Sequence, residues 1–256
     1  MVGSFLKGEA MSESNRRAVE ERVNQTAEQG EGNQANIQDA VDTATREWRN
    51  SFLPKYQEDA AEAYEVYNAR EMLGDEAWGQ VSRVVDACMR KEDVAEALLR
   101  GSSHEAAEED DGRKKEEWNK SIVDIISDIP TDGPWAKHQF KSAVALNHFI
   151  SLYIQNHKRR FIRPIPEGKS YWFGTPVTVI NRFMDCFATQ ITNDFGEMGF
   201  VMSKANKDKC CVHMLLLYVM ADGGKTMTSG NIKPIADDLG MDVKDSSHLL
   251  RLAGCT

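Results

Sequence analysis

The chain has 256 residues, of which 41 % are hydrophobic and 28 % charged, and its formal net charge is −9. This composition predicts a soluble globular protein of one to three small domains. No apolar run approaches the ~20 residues of a membrane span, and the N-terminus lacks the apolar core of a secretory signal. We therefore expect neither a membrane protein nor a secreted one.

The charge is divided unevenly along the chain. Residues 1–135 carry 16 Lys+Arg and 30 Asp+Glu, a balance of −14, whereas residues 136–256 carry 15 and 10, a balance of +5. The C-terminal half is therefore the part that can face a polyanion, and the N-terminal half cannot do so uniformly.

Residues 1–70 are predicted to form a disordered or helical linker strap. Residues 1–32 contain few large apolar groups and predict disorder or a loose helix. The next stretch has the stripe of one amphipathic helix, formed by Ile37, Val41, Ala44 and Trp48. An extended piece follows, and its candidate partner-binding anchors are Leu53, Tyr64, Val66 and Tyr67. A linker with incidental aromatic residues is the alternative interpretation.

Apolar spacing predicts a series of helices in the middle of the chain. Two short helices fall within residues 71–100, a third carries Trp118 to Ile129, and the longest spans about 135–157. A charged loop occupies 104–115. Two short β-like pieces are expected around a turn at 166–169.

Thr175 and Pro176 predict a helix start, with Thr as the cap and Pro at the first helical position. This helix extends to Phe187, and residues 190–202 predict a β-hairpin around the turn at 193–199.

Residues 206–256 predict an apolar helix followed by a helix, a tight turn at Gly240 and a last helix capped by Asp242. We therefore predict a mainly α fold with short β-hairpins, in which tandem winged-helix domains follow an extended helical linker. The first domain, with its leading helices, spans 71–203. The second spans 204–256, and its wing would begin where the sequence stops.

A basic segment at residues 137–169 is the best candidate for nucleic-acid contact. It contains seven basic residues and one acidic residue, Glu167, which gives a net charge of +6. The basic residues are Lys137, Lys141, Lys158, Arg159, Arg160, Arg163 and Lys169. Such a cluster can release counterions from a phosphate backbone, and the interleaved aromatics Phe161, Tyr171 and Trp172 can stack on exposed bases. The alternative is that residues 158–160 only complement a helix C-terminus, with the aromatics in the core.

Two helices could present a recognition surface. In the last helix Lys244, His248 and Arg251 form one polar stripe, which predicts either DNA contact or a plain solvated face. The matching outward residues of the helix after Pro176 are Thr178, Asn181, Arg182 and Asp185. Asp185 opposes phosphate, so this second helix is the weaker candidate.

No motif in the sequence requires catalysis, a metal or a cofactor, and we expect none of the three. The five cysteines and six histidines show no metal-ligand spacing, and His213 is predicted to be a hydrogen-bonded core residue. The stretch from Gly223 to Thr226 resembles the end of a phosphate-binding loop, but Val219 replaces the required glycine. The cysteines are predicted to be reduced, mostly buried thiols of an intracellular protein.

An ordered set of short stretches resembles the C-terminal part of the RNA polymerase I subunit of the forty-nine-kilodalton type, a polymerase-associated factor. The resemblance covers roughly residues 45–256. It is carried by Leu53-Pro54-Lys55-Tyr56 with Ala60, by Glu65-Val66-Tyr67, by the basic run at 158–160, by Gly174-Thr175-Pro176, by Asn206-Lys207-Asp208-Lys209, by Ile235 to Leu239, and by Leu252 to Cys255.

The resemblance implies a non-catalytic, double-stranded-DNA-binding subunit of RNA polymerase I that contacts its core subunits. It implies a nuclear, nucleolar protein that supports rRNA transcription in initiation and elongation. The family's N-terminal dimerisation barrel has no counterpart in this sequence, which leaves pairing with a partner subunit open. The turn at 221–226 is Gly-rich where the family usually has an acidic, aromatic loop. The alternative function is a winged-helix scaffold that binds proteins of a transcription complex without touching DNA.

Overall fold

The computed structural model describes residues 43, 46–47, 49–57, 59–60, 66–91, 93–101, 118–165, 168–169, 171–172, 174–224 and 228–255. The predictions for residues 1–32, for the stripe from Ile37 to Trp48, for Tyr64, for the loop at 104–115 and for Lys225 and Thr226 lie outside these ranges.

The described chain is mainly helical, as predicted. Its helices with defined bounds are α1 (Ala69–Leu73), α2 (Asp75–Cys88), α3 (Val94–Gly101), α4 (Lys120–Asp128), α5 (Ala136–Asn156), α6 (Val177–Phe187), α7 (Lys204–Ala221), α8 (Ser229–Leu239) and α9 (Val243–Leu252). Its short strands are β1 (Tyr171–Trp172), β2 (Thr175–Pro176), β3 (Thr189–Thr192) and β4 (Met198–Val201). Among the described helices, none combines the length and apolarity needed to cross a bilayer.

Helices α5 and α7 form the centre of the molecule and pack against each other more extensively than any other pair of described elements. Both are buried on nearly all sides, which is the pattern of a core helix rather than a surface one. The aromatic rings of Phe149, Phe183 and Phe187 meet edge to face at centroid distances of 5.3–5.8 Å, joining α5 to α6. One continuous apolar core therefore runs from Phe52 to Ala253.

The predicted tight turn between the last two helices is confirmed. Gly240 adopts the left-handed conformation with φ 65°, which a residue without a Cβ reaches at low cost, and its N–H donates to the end of α8. Asp242 does occupy the N-cap position of α9, but its side chain makes no capping hydrogen bond there. The predicted capping role of Asp242 is therefore wrong.

The hairpin predicted at 190–202 is confirmed as β3 and β4, which pair antiparallel with Thr189 opposite Val201. The two β-like pieces expected around 166–169 are present at Ile162 and at β1, but they do not pair with each other. Ile162 instead pairs with Phe200 of β4, and β1 pairs with β2 across a turn at Gly174, where φ is 78°. The backbone of residue 162 adds to the existing hairpin because β4 offers it an unpaired edge.

Thr175 does not cap α6. It belongs to β2, its side chain is buried, and its Oγ1 lies 3.5 Å from Nδ1 of His148. Pro176 takes the N-cap position, and α6 begins one residue later than predicted. Pairing of Thr175 with Trp172 turns its side chain into the core, away from the first N–H groups of the helix.

Candidate nucleic-acid interface

The basic stretch, residues 158–163, begins where α5 ends. Tyr153 anchors this end, because the ring of His157 stacks on it at 4.8 Å and His157 Nδ1 lies 2.9 Å from its carbonyl oxygen. The amide of Asn156 donates to the Leu152 carbonyl, and the N–H of Arg159 donates to the Asn156 carbonyl. These bonds close the helix and fix the point at which the chain leaves it.

Strand β4 holds the other end of the basic stretch. Ile162 exchanges two backbone hydrogen bonds of 2.8 Å with Phe200, and its side chain is buried. Gly199 allows this close approach, since a Cβ there would lie 2.3 Å from Cζ of Phe161. The base of the β3–β4 hairpin therefore carries the basic stretch as a short third strand.

The cationic side chains of the basic stretch point to solvent. Lys158, Arg159, Arg160 and Arg163 are exposed, and Lys169 is exposed farther along. In the described ranges, the ion pairs join other residues, namely Arg70 with Asp75, Arg100 with Glu96, and two lysines of α5 with Asp86. The four cations of the basic stretch are thus available to an external anion.

The two lysines of α5 do not belong to this cationic surface, which corrects the predicted cluster. Asp86 Oδ1 lies 3.0 Å from Lys137 Nζ and 3.4 Å from Lys141 Nζ, and Lys141 is buried. Burial acts to raise the pKa of Asp86, but the hydrogen bond from Lys137 and the charge of Lys141 outweigh it and hold that pKa below its ordinary value. These charges tie α5 to α2.

An open cavity of about 450 Å³ lies beside the basic stretch. Arg159 and Arg163 line it together with apolar side chains of α5 and α6, including Leu152, Ile180 and Met184. Phe161 is half-buried at its edge. Tyr171 and Trp172 form β1, and their side chains lie outside the described part of the chain.

The polar stripe of α9 lies on the surface. Lys244, His248 and Arg251 are all exposed, and Arg251 Nε donates to the Ser247 carbonyl of its own helix. Asp245 is exposed on the same helix. Its charge helps to raise the pKa of Asp208, after the larger effect of burial and against the charge of Lys204. The α9 surface is therefore of mixed charge.

Arg182 of α6 has a structural role that the sequence did not indicate. Its Nε donates to the Met72 carbonyl at 2.8 Å and its Nη2 to the Glu71 carbonyl at 3.0 Å. The guanidinium thus satisfies carbonyls at the end of α1, which an arginine does well near a helix C-terminus. This engagement leaves α6 less suited to phosphate contact than α9.

The strap residues fold onto the chain itself. Leu53 and Tyr67 are only 4 % and 7 % exposed, and the Tyr67 hydroxyl donates to the Ala253 carbonyl at 2.7 Å. Val66 is half-buried, and its carbonyl accepts from the Gln57 N–H. In this structure Leu53 and Tyr67 do not present a surface to a partner, because both are buried in the chain's own core and Tyr67 also holds the strap to the end of α9.

A pair of hydrogen bonds that the sequence did not indicate joins α4 to α8. Both the N–H and the hydroxyl of Ser121 donate to Oδ2 of Asp238. Asp238 thereby places a carboxylate of α8 at the start of α4, where it caps that helix and complements its dipole. No sequence pattern could have paired these two residues, because they are separated by 117 positions.

The described residues contain no cluster of His, Cys, Asp or Glu able to hold a metal ion. Gly223 and Gly224 close α7, and the Gly224 N–H donates to the Val219 carbonyl at 2.9 Å. They act as a helix end here, not as a strand-to-helix phosphate cradle.

A family model described as A49-like RNA polymerase I associated factor matches residues 5–256 of this chain. The chain belongs to this family. A comparison with curated proteins found no match. The family assignment confirms the resemblance proposed from the sequence, and it makes the A49-like chain a factor of RNA polymerase I transcription. The basic stretch and the strap both lie within the matched residues.

Proposed function

We propose that this A49-like chain is a non-catalytic, DNA-binding subunit of RNA polymerase I. It supports initiation and elongation of rRNA transcription in the nucleolus of the nucleus. The observation that carries the proposal is the basic stretch, in which Lys158, Arg159, Arg160 and Arg163 are exposed and without ion pairs among the described residues. Cations presented in this way bind duplex DNA by releasing its condensed counterions.

The order of elements supports a tandem winged-helix architecture. Helices α4, α5 and α6 precede the β3–β4 hairpin, and Ile162 adds a third backbone to it, as in a wing. Helices α7, α8 and α9 form the second three-helix unit. We propose a first domain at 71–203, including its leading helices, a second at 204–256, and a strap at 1–70.

The contact with DNA extends in this proposal beyond the basic stretch. Lys169 lies just after it, and the α9 stripe supplies Lys244, His248 and Arg251. The carboxylate of Asp245 on α9 repels phosphate, so each cation of α9 contributes less to DNA binding than a cation of the basic stretch. The strap binds core subunits of the polymerase through Tyr64 and Val66.

Reconstitution of transcription tests the function. RNA polymerase I purified without this subunit would be supplemented with the parent chain or with the double variant Arg159→Glu/Arg160→Glu, and promoter-dependent RNA synthesis measured. We expect the parent to restore synthesis and the variant to restore much less.

The double variant Arg83→Glu/Arg90→Glu is the matched control, because it makes the same change of charge at exposed positions on α2 and just after it. If both double variants restored RNA synthesis equally, a protein-binding scaffold that does not contact DNA would be the better explanation.

A further inference from the structure

The tip of the β3–β4 hairpin is a rigid loop. Asn193 organises it, since its Oδ1 accepts from the N–H groups of Phe195 and Glu197 at 3.0 and 2.9 Å. The Asn193 N–H donates to the Glu197 carbonyl, and the Asn193 carbonyl accepts from the Gly196 N–H. The amide of Asn193 also donates to Glu197 Oε2 at 2.9 Å. This network fixes the backbone of the loop and so the position from which Phe195 projects.

The loop presents large apolar side chains to solvent. Phe195 is 90 % exposed and Met198, which begins β4, is 55 % exposed. Both lie within four positions of each other at the hairpin tip. A fully exposed aromatic ring on a rigid turn resembles the anchor residues that dominate protein interfaces, since its ordering costs little entropy on binding.

The charge of the hairpin distinguishes between partners. Residues 189–201 contain Asp194 and Glu197 and no lysine or arginine. These carboxylates flank the exposed ring, so phosphate groups are repelled from the tip even though the basic stretch lies at the base of the same hairpin. An apolar ring between two carboxylates is complementary to an apolar pocket rimmed by Lys or Arg on a protein.

We propose that the hairpin tip, residues 193–198, is a docking element that inserts Phe195 into an apolar, basic-rimmed pocket on a protein subunit of RNA polymerase I. The polymerase is the partner because the chain belongs to a family of its associated factors. The proposal goes beyond DNA binding and does not depend on it. In it, the base of the hairpin faces nucleic acid and the tip faces protein.

A second copy of the chain is the competing occupant. The cavity beside the basic stretch combines apolar side chains with Arg159 and Arg163, so it has some of the chemistry that the tip requires. A head-to-tail contact between tip and cavity would link copies into rings or open chains. The net charge of −9 also opposes association between copies. The polymerase is therefore the favoured partner.

Binding of the full chain to purified RNA polymerase I that lacks this subunit tests the proposal. We expect Phe195→Ala to weaken binding about tenfold or more, since a central aromatic anchor is lost. The double variant Asp194→Asn/Glu197→Gln should weaken binding less and reduce its dependence on salt. Ile154→Ala, which removes a 47 % exposed apolar side chain from α5, is the matched control and should bind like the parent.

A photoreactive benzoylphenylalanine at position 195 identifies what the tip touches. A crosslink to a polymerase polypeptide, together with weaker binding of Phe195→Ala and unchanged DNA affinity, supports the proposal. A crosslink to DNA or to another copy of the chain would overturn it. Equal polymerase affinities of Phe195→Ala, Ile154→Ala and the parent would overturn it as well, because the exposed ring would then contribute nothing.

Discussion

We expect His213 to make the stability of this protein sensitive to mildly acidic pH. It lies inside α7 with its ring edge to face with Phe187 at 5.0 Å. Within the described chain neither ring nitrogen has a hydrogen bond of ordinary geometry, which corrects the prediction of a hydrogen-bonded core histidine. Burial, assisted by the Lys209 and Arg182 charges and opposed by the Phe52 backbone, lowers the pKa of His213 from 6.5 to about 3.

The direction of the effect follows from the lowered pKa. Between pH 6.5 and 3 the unfolded chain binds a proton at His213 that the folded chain does not, so stability falls as the pH is lowered through that window. Each pH unit below 6.5 costs about 1.4 kcal/mol. From pH 7.5 to 5.0 the residue should therefore remove about 2 kcal/mol from the free energy of unfolding.

Urea unfolding of the parent and of His213→Leu at both pH values measures this contribution. The free energy lost between pH 7.5 and 5.0 should be about 2 kcal/mol smaller in the variant, whatever its stability at neutral pH. His248→Leu, at an exposed histidine of α9, is the control and should lose as much as the parent. A variant at position 213 with the parent's full pH dependence would refute the assignment.

Two further substitutions test the packing around the site. Tyr67→Phe removes the buried hydrogen bond to the Ala253 carbonyl and should lower the free energy of unfolding by about 1 kcal/mol. Urea denaturation measures this change, and an unchanged value would show that this bond does not hold the strap. Gly199→Ala forces Phe161 away from β4 and should cost about 1–3 kcal/mol, whereas Gly230→Ala, which meets only Thr228 at 3.7 Å, should not introduce such a clash. Equal costs would contradict the close approach.

The helices could be predicted from the sequence because their apolar residues recur at helical spacing. The stripes of α2, α4 and α6 were readable in this way, and the Gly240 turn followed from the need for positive φ. These signals are local, since each depends on residues within a few positions of one another.

The parts that sequence reasoning missed depend on contacts between distant residues. The predicted basic segment is wider than the exposed cationic surface because Asp86, on another helix, forms ion pairs with Lys137 and Lys141. Tyr67 was expected to face a partner, yet it bonds to a carbonyl 186 positions away. The pairing of Ile162 with Phe200 could not be predicted because a complete helix and a hairpin strand separate the two residues in the sequence. The residues that neighbour each position in the sequence carry no signal for such long-range contacts.

The salt dependence of duplex binding tests the central claim most directly. The dissociation constant of the full chain for duplex DNA would be measured over a range of salt concentrations for the parent, for Arg159→Gln/Arg160→Gln and for the control Arg83→Gln/Arg90→Gln. If both arginines of the basic stretch contact phosphates, the slope of log K against log salt should become shallower by about 1.8 in the first variant and stay unchanged in the control. Parallel lines for all three proteins, or no salt-dependent binding at low ionic strength, would contradict DNA binding through the basic stretch.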